Sequence, residues 1–271
     1  MKHIGVYPKS ALAGMFMGCA ALVQAAQDAN QDANQDAALS KELQNPVADL
    51  ITLPLENRWD WTAHHKLQYT LNVQPVWPFE LSEKLLLVSR TIVPVQHMEA
   101  PDAQSRDHGG LGDMTQSFFF AAKEPLNGWI VGAGPMLRLP TATDAALGLG
   151  KWGAGPTAVA LRQDNAWTYG ALASHVWSFA GWGDDSVNVS SLQPFLSYTT
   201  DALLTMGVGT EATYDWAGGQ WVVPFDVSVS QFMRIGGVPV DLGLGVRTYL
   251  ERPTGGPDWG VKATLTFMLP K

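Results

Sequence analysis

Charged and amide side chains recur at every second position within apolar segments of this 271-residue chain. Carboxylates and cationic groups that share one face can form ion pairs, hold water or discriminate among small ions, because an isolated buried charge is costly. The candidates are Glu56, Arg58, Asp60, Gln68, Asn72, Gln74, Arg90, Glu211, Asp215, Asp226, Asp241, Arg247 and Lys262, with Arg138 and Arg162 as further members. Both signs of charge occur, so two readings stay open: a selectivity constriction, or a salt-bridge network that fills the interior.

Histidine and serine offer a second chemistry, nucleophilic catalysis. His175 is flanked by Ser174 and Ser178, but alternation along a strand places both serines on the opposite face. A nucleophile and its base must reach hydrogen-bond distance, so catalysis would need a serine from a neighbouring strand. We predict no catalytic residues.

Metal binding is the third possibility. His64-His65 with Asp60, and His97 with His108, come from separate positions and match no tight ligand spacing. Glycines that alternate within strands lack the strand-turn-helix context of a phosphate site. We therefore predict no metal site and no cofactor.

Composition limits the class of protein. Apolar residues make up 46% of the chain and charged residues only 15%, which excludes a disordered or coiled-coil protein. The net charge of -8 excludes a typical nucleic-acid-binding protein. The 27 glycines and 11 tryptophans favour many tight turns and a boundary between water and lipid.

The N-terminus has the pattern of a secretory leader. Lys2 and Lys9 precede an uncharged apolar stretch that ends in small residues at Val23-Gln24-Ala25, which predicts a signal peptide over 1–25. The stretch is shorter than the roughly 20 residues of a membrane helix. The only cysteine, Cys19, lies inside it, so the mature chain would have no disulfide. Lipidation of Cys19 is the alternative, disfavoured by the bulky residues before Gly18.

Two short segments follow the leader. Acidic, Gln-, Asn- and Ala-rich repeats over 26–38 lack large apolar residues and predict a disordered tether. Apolar residues at near-helical spacing over 39–50 predict a short helical segment at the periplasmic mouth, restarting at Asn45-Pro46. A plain periplasmic linker is the alternative.

From residue 51 onward the apolar period becomes two. Turn signals divide 51–271 into about twelve strands, each about as long as a tilted membrane strand. The predicted strands are 51–61, 67–80, 84–96, 113–122, 129–140, 153–162, 167–179, 189–199, 203–216, 220–233, 238–250 and 259–269. This pattern predicts an all-β fold, a transmembrane antiparallel up-and-down β-barrel. A soluble β-sandwich with the same period is the structural alternative.

Tryptophans mark the strand ends. An aromatic belt at each membrane interface is typical of such barrels. We place Trp77, Trp129 and Trp167 at the periplasmic rim, and Trp59, Trp61, Trp177, Trp216, Trp221 and Trp259 at the outer rim. Short connections would be periplasmic turns, and the long ones, over 98–112, 141–152 and 180–188, extracellular loops.

Several motifs resemble a bacterial outer-membrane family called simply transporter, related to the phenol meta-cleavage pathway MetA-like proteins and sometimes mislabelled neuromedin U. The motifs span nearly all of 45–271. They are Asn45-Pro46-Val47-Ala48-Asp49-Leu50-Ile51, Gly112-Asp113-Met114-Thr115-Gln116-Ser117-Phe118, Leu139-Pro140-Thr141-Ala142-Thr143-Asp144, Lys151-Trp152-Gly153-Ala154-Gly155-Pro156, Gln193-Pro194-Phe195-Leu196-Ser197-Tyr198 and Gly256-Pro257-Asp258-Trp259-Gly260. The resemblance implies an outer-membrane barrel, with small hydrophobic or aromatic compounds as candidate solutes.

These observations predict a channel or transporter for small molecules in the outer membrane of a Gram-negative bacterium. Its partners would be outer-membrane lipid, an unidentified solute and the barrel assembly machinery, whose C-terminal signal the strand ending at Phe267 and Leu269 resembles. We expect a monomer that does not bind nucleic acid. The alternatives are a non-conducting structural barrel and a lipid-modifying enzyme.

Overall fold

Strands dominate the molecule, as the alternation of apolar residues predicts. The computed structural model describes residues 32–100, 102, 104–183 and 186–270. Within these, one helix, α1, covers 32–43. The strands are β1 Ile51–Thr62, β2 Leu67–Val73, β3 Val76–Glu80, β4 Leu85–Met98, β5 His108–Leu111, β6 Met114–Ala122, β7 Ile130–Leu139, β8 Lys151–Asp164, β9 Trp167–Gly181, β10 Asn188–Thr199, β11 Leu204–Gly209, β12 Ala212–Asp215, β13 Gln220–Ile235, β14 Val238–Glu251 and β15 Pro257–Leu269.

The strands close into an antiparallel barrel. The first and last strands pair, with Ile51 opposite Leu269 and Arg58 opposite Lys262. Neighbours around the barrel are sequence neighbours, which is up-and-down topology. Three strands of the barrel are interrupted, and each is made of two segments: β2 with β3, β5 with β6, and β11 with β12. The fifteen segments therefore form twelve barrel strands. The predicted fold class and strand count are confirmed.

One of the three interruptions has a local cause in the sequence. Pro75, between β2 and β3, has no backbone N–H to donate to the ladder. The break between β5 and β6 falls at Gly112-Asp113, and the break between β11 and β12 at Thr210-Glu211. No helix among the described residues is long and apolar enough to cross a membrane.

The two ends of the barrel differ in their connections. One end has short turns, such as Gly236-Gly237, where both residues take positive φ (59° and 84°) as a two-residue hairpin of this type requires. The other end carries the connections over 99–107 and 140–150. Short turns are periplasmic in outer-membrane barrels, so β1 runs from the periplasmic end to the outer end.

The N-terminal segment differs from the prediction. Residues 32–43 are helical, so part of the predicted tether (26–38) is ordered, whereas the predicted helical segment (39–50) leaves the helix after 43 and continues in turns. Contacts with the barrel explain the difference: Asp36 pairs with Arg234, and Ser40 is buried, so docking stabilises a helix too short to be stable alone. The predicted signal peptide, Cys19 and residues 26–31 lie outside the described residues.

The outer surface of the barrel is apolar at mid-height. Along β13 and β14, Val227, Val229, Leu244 and Val246 are exposed, and Leu244 is 61% exposed. The residues between them in sequence, such as Ser228 and Asp226, face the lumen. One apolar face outward and one polar face inward is the arrangement of a barrel in lipid.

Candidate functional site

One side of the lumen carries a continuous ionic network, here called the charged wall: Glu56, Arg58, Glu211, Asp226, Arg247 and Lys262. These residues come from β1, β13, β14, β15 and the break between β11 and β12, where alternation turns their side chains inward. Predicted candidates from distant parts of the chain therefore meet in the structure.

The strongest contact in the charged wall joins Arg247 to Asp226. Arg247 Nε and Nη2 donate to the two carboxylate oxygens of Asp226, at 2.9 and 3.0 Å. Both residues are buried, and a two-point guanidinium-carboxylate pair is geometrically specific as well as strong. Lys262 Nζ lies 3.5 Å from the same carboxylate.

Glu211 and Glu56 extend the network. The Glu211 carboxylate lies 3.3 Å from Arg58 Nη1 and 3.5 Å from Arg247 Nη2. Glu56 lies 3.5 Å from Arg58 Nε and 3.9 Å from Lys262 Nζ. It also accepts a hydrogen bond from Asn72 Nδ2 at 3.3 Å. Each carboxylate of the charged wall thus contacts at least two cationic groups.

Other predicted lumen residues form no ion pair with the charged wall, although Asp60 lies beside it. Gln74 accepts a hydrogen bond from Arg90 Nη2 at 2.7 Å, nearer the periplasmic end. Asp241 is buried and lines the periplasmic mouth. Asp60 lies near Arg58 and Arg247, and it stands opposite Gln68 in the register of β1 and β2. Asp215 accepts from the backbone N–H of Ala217 in the outer turn.

The two further candidates on β7 and β8 have different outcomes. Arg138 faces the lumen, whereas Arg162 lies on the opposite parity and its guanidinium approaches Gly128 at the periplasmic rim. Placing Arg162 in the lumen was wrong, because it follows buried, inward-facing Leu161 and alternation turns it outward.

Asp113 is a site residue that the prediction missed. Its carboxylate accepts from Arg138 Nη2 at 3.1 Å and from the backbone N–H of Leu149 at 2.9 Å, so it ties the 140–150 connection to the barrel. A Cβ on Gly148 would meet Asp113 Oδ1 at 2.5 Å, which makes glycine necessary for this approach. The sequence signal that could have identified Asp113 was its position in the motif from Gly112 to Phe118.

The opposite side of the lumen is hydrophobic toward the periplasm. This apolar wall consists of Leu86, Val88, Phe119, Ala121, Val159, Leu161 and Leu172, all buried. Val47, from the segment after α1, packs into it and is 3% exposed. The expectation of a polar interior is wrong for this side, because β4, β6, β8 and β9 present apolar residues inward as well as outward.

Polar contacts also hold the N-terminal segment in the periplasmic mouth. Arg234 Nη2 lies 2.7 Å from Asp36 Oδ1, and Gln163 Nε2 donates to the backbone carbonyl of Lys41 at 2.7 Å. The segment thus bridges two sides of the rim.

Cavities remain above and beside this segment. A central cavity of about 430 Å³ lies between Glu56, Arg58 and Glu211 on one side and Val176 and Val189 on the other. A second, of about 310 Å³, lies beside the N-terminal segment. Gln74 and Arg90 line both, so they stand at the junction of the two cavities.

Tryptophans lie near the strand ends at both rims of the barrel. Most are exposed on the outer surface: Trp77, Trp129, Trp167, Trp177, Trp216, Trp221 and Trp259. Trp61 stacks on Trp259 with ring centroids 4.6 Å apart, and Trp59 contacts Tyr69 at 5.5 Å, so these two are more covered.

A histidine–serine contact occurs on the lipid-facing side near the outer end. His175 Nδ1 lies 2.7 Å from Ser190 Oγ on the paired strand, and Trp216 Nε1 donates to the same oxygen at 2.9 Å. Ser174 lines the lumen instead. Among the described residues, nothing is hydrogen-bonded to His175 Nε2. The described residues also contain no group of three or more potential metal ligands.

Comparisons with known proteins support the architecture. A scan against protein-family models and a search of curated proteins found no match. Among solved structures, the chain is similar to an outer membrane channel from Pseudomonas putida F1, with 15% identity, a TM-score of 0.64, and coverage of 81% of this chain and 96% of that one. It is also similar to the NanC porin, with 9% identity, a TM-score of 0.50, and coverage of 80% and 100%.

A third similar structure is outer membrane phospholipase A from Escherichia coli, with 11% identity, a TM-score of 0.45, and coverage of 82% of this chain and 90% of that one. At these identities the similarities show the fold alone: this chain has the fold of an outer-membrane β-barrel.

Proposed function

We propose that the protein is a monomeric outer-membrane channel for small molecules, occupied at its periplasmic mouth by its own N-terminal segment. The observation that carries this proposal is the pair of cavities joined at Gln74 and Arg90. They give the lumen polar space, which a barrel filled by side chains lacks. The closed sheet with its apolar outer surface supports a single-chain barrel in lipid.

The resemblance to the MetA-like family supports the same function and makes hydrophobic or aromatic compounds candidate solutes. Two of the motifs that carry the resemblance have structural roles. Val47, from the motif at 45–51, packs on the apolar wall, and Asp113, from the motif at 112–118, holds the 140–150 connection on the barrel. Family membership, like the solute, is part of the proposal.

Single-channel conductance in planar bilayers tests the proposal. The refolded wild type and a variant lacking residues 32–50 are compared, with a heat-modifiable gel shift confirming folding. We expect discrete current steps that are larger in the deletion variant, because the docked segment occupies the periplasmic mouth. Silence of both inserted proteins would contradict a channel and favour a structural barrel.

A second candidate function, lipid ester hydrolysis, is favoured by the Ser190–His175 contact. The pair faces lipid near the outer interface, and a serine hydroxyl bonded to imidazole is the first element of nucleophilic catalysis. It ranks second because no third group orients the imidazole within the described residues. Phospholipase assays of wild type and Ser190→Ala in mixed micelles test it: activity that S190A abolishes would establish an enzyme.

A further inference from the structure

In the central cavity every acidic side chain has a cationic partner, but one arginine has no carboxylate partner within the part of the chain that the structure describes. Its three acidic residues are each engaged: Glu56 and Glu211 contact Arg58, and Asp113 holds Arg138. Arg90 forms no ion pair with any carboxylate among the described residues, and its one hydrogen bond goes to the neutral amide oxygen of Gln74. Glu56 and Glu211 attract it only at longer range.

A guanidinium group has five N–H donors, and a charge inside a protein needs a counter-charge or water. Arg90 uses one donor on Gln74, and its side chain lines both cavities. The geometry therefore points to an anion as the missing partner. A carboxylate fits best, since its two oxygens match the planar donor pair of arginine.

The surroundings of Arg90 select further among anions. Ile92 and Pro94 follow it on the same face of β4, and Met136, Val176 and Val189 complete an apolar lining of the cavity. A small inorganic anion would leave this surface wet. An organic acid would cover it with its hydrocarbon body, and a volume of about 430 Å³ lies within the usual range for small-molecule sites.

We propose that the cavity at Arg90 is a binding site for a small amphipathic carboxylate, with the carboxylate on the Arg90 guanidinium and the apolar body against Ile92, Pro94 and Val189. The site deepens the proposed channel function, on which it rests, by naming a solute class. In this arrangement a solute that moves from the central cavity to the periplasmic cavity passes the Arg90 side chain, which lines both.

Calorimetric titration of the refolded protein in detergent tests the site without requiring a current. Benzoate is the probe, benzyl alcohol its uncharged counterpart, and acetate the carboxylate without an aromatic body. We expect benzoate to bind about ten-fold or more tightly than either, because each lacks one half of the recognition. Benzyl alcohol binding as tightly as benzoate would overturn the role of Arg90, and acetate binding equally would overturn the apolar subsite.

Two variants locate the site. Arg90→Gln should weaken benzoate binding about ten-fold or more, while the matched control Arg162→Gln, on the outer surface, should bind as wild type does. Gln74→Glu is a nearly isosteric change that supplies Arg90 with an internal carboxylate, so it should also weaken benzoate binding about ten-fold or more, and it remains informative if R90Q does not fold. Wild-type affinity in either folded variant would overturn the proposal.

Conductance separates this proposal from the channel. Current steps in a protein that does not bind benzoate would overturn the site and leave the channel. Benzoate binding by an inserted but silent protein would overturn the channel and leave the site.

Discussion

The charged wall and the apolar wall of the lumen are stabilised by different interactions, ion pairing in one and hydrophobic burial in the other. The charged wall pairs its own charges, since Asp226, Arg247, Glu211 and Arg58 contact one another. The apolar wall has no polar groups to pair, and it is covered by Val47 from the N-terminal segment together with Val76, Ile130 and Phe195 of the barrel. A self-paired wall needs no other segment, whereas an apolar wall favours one. Charge pairing and hydrophobic burial therefore divide the lumen into a lining made by the barrel strands and a cover to which the N-terminal segment contributes.

The largest expected effect comes from breaking the charged wall. Arg247→Met leaves Asp226 buried without its two-point partner, and removing one member of a buried pair costs about 3–5 kcal/mol. Urea unfolding in liposomes, followed by tryptophan fluorescence, measures the loss. The matched control is Arg252→Met at the outer end, whose pair with Asp258 is partly exposed and should contribute at most about 1 kcal/mol. Equal losses would remove the distinction between the buried network and an ordinary surface pair.

The next effect tests the assignment of the two faces on which the comparison depends. Leu244→Arg places a charge in lipid and should cost roughly 2–4 kcal/mol, reducing the folded protein recovered from membranes. Ser228→Arg should be tolerated, because Ser228 faces the lumen between Gly207 and Gly245, which leave space beside it. Equal recovery of the two variants would show that the faces are assigned wrongly.

A smaller effect is expected at the apolar wall. Val47→Asp removes a buried apolar side chain and brings a carboxylate to hydrophobic residues, so the segment should leave the mouth without unfolding the barrel. Conductance should rise toward that of the 32–50 deletion. Ala37→Asp, at an exposed position of α1, is the control. Unchanged current in V47D would mean that the apolar wall does not hold the segment.

The smallest effect concerns the outer loops. The backbone N–H of Ala146, followed by His108, lowers the pKa of Asp144 below its ordinary value of 3.8. Arg106 also faces this carboxylate, at 3.6 Å. Because the folded pKa is lower than the unfolded one, the anchor contributes fully above about pH 4 and is lost as the pH falls through the folded value.

Limited proteolysis of the outer loops measures this anchor. Asp144→Asn at neutral pH should increase cleavage modestly, and acidification below the folded pKa should do the same to the wild type. Cleavage of D144N at the wild-type rate would show that the Asp144 contacts do not hold the loops.

Strand-level features were predictable because they depend on short-range periodicity. Alternation placed Glu56, Arg58 and Asp226 on the lumen face and Val227 on the lipid face before any contact was known. The apolar wall was missed because the runs at 85–88, 118–122 and 158–161 are apolar without alternation. Such runs indicate a strand covered on both faces, here by lipid outside and by the N-terminal segment inside.

The sequence by itself determined the barrel, its twelve strands and whether most residues face the lumen or the lipid, because a period of two depends only on backbone geometry. Only the tertiary structure decided which charges meet, that Ser190 lies against His175, that the N-terminal segment covers the apolar wall, and that Arg90 has no carboxylate partner among the described residues. These facts depend on register between strands far apart in sequence and on how a segment docks, neither of which a local pattern encodes.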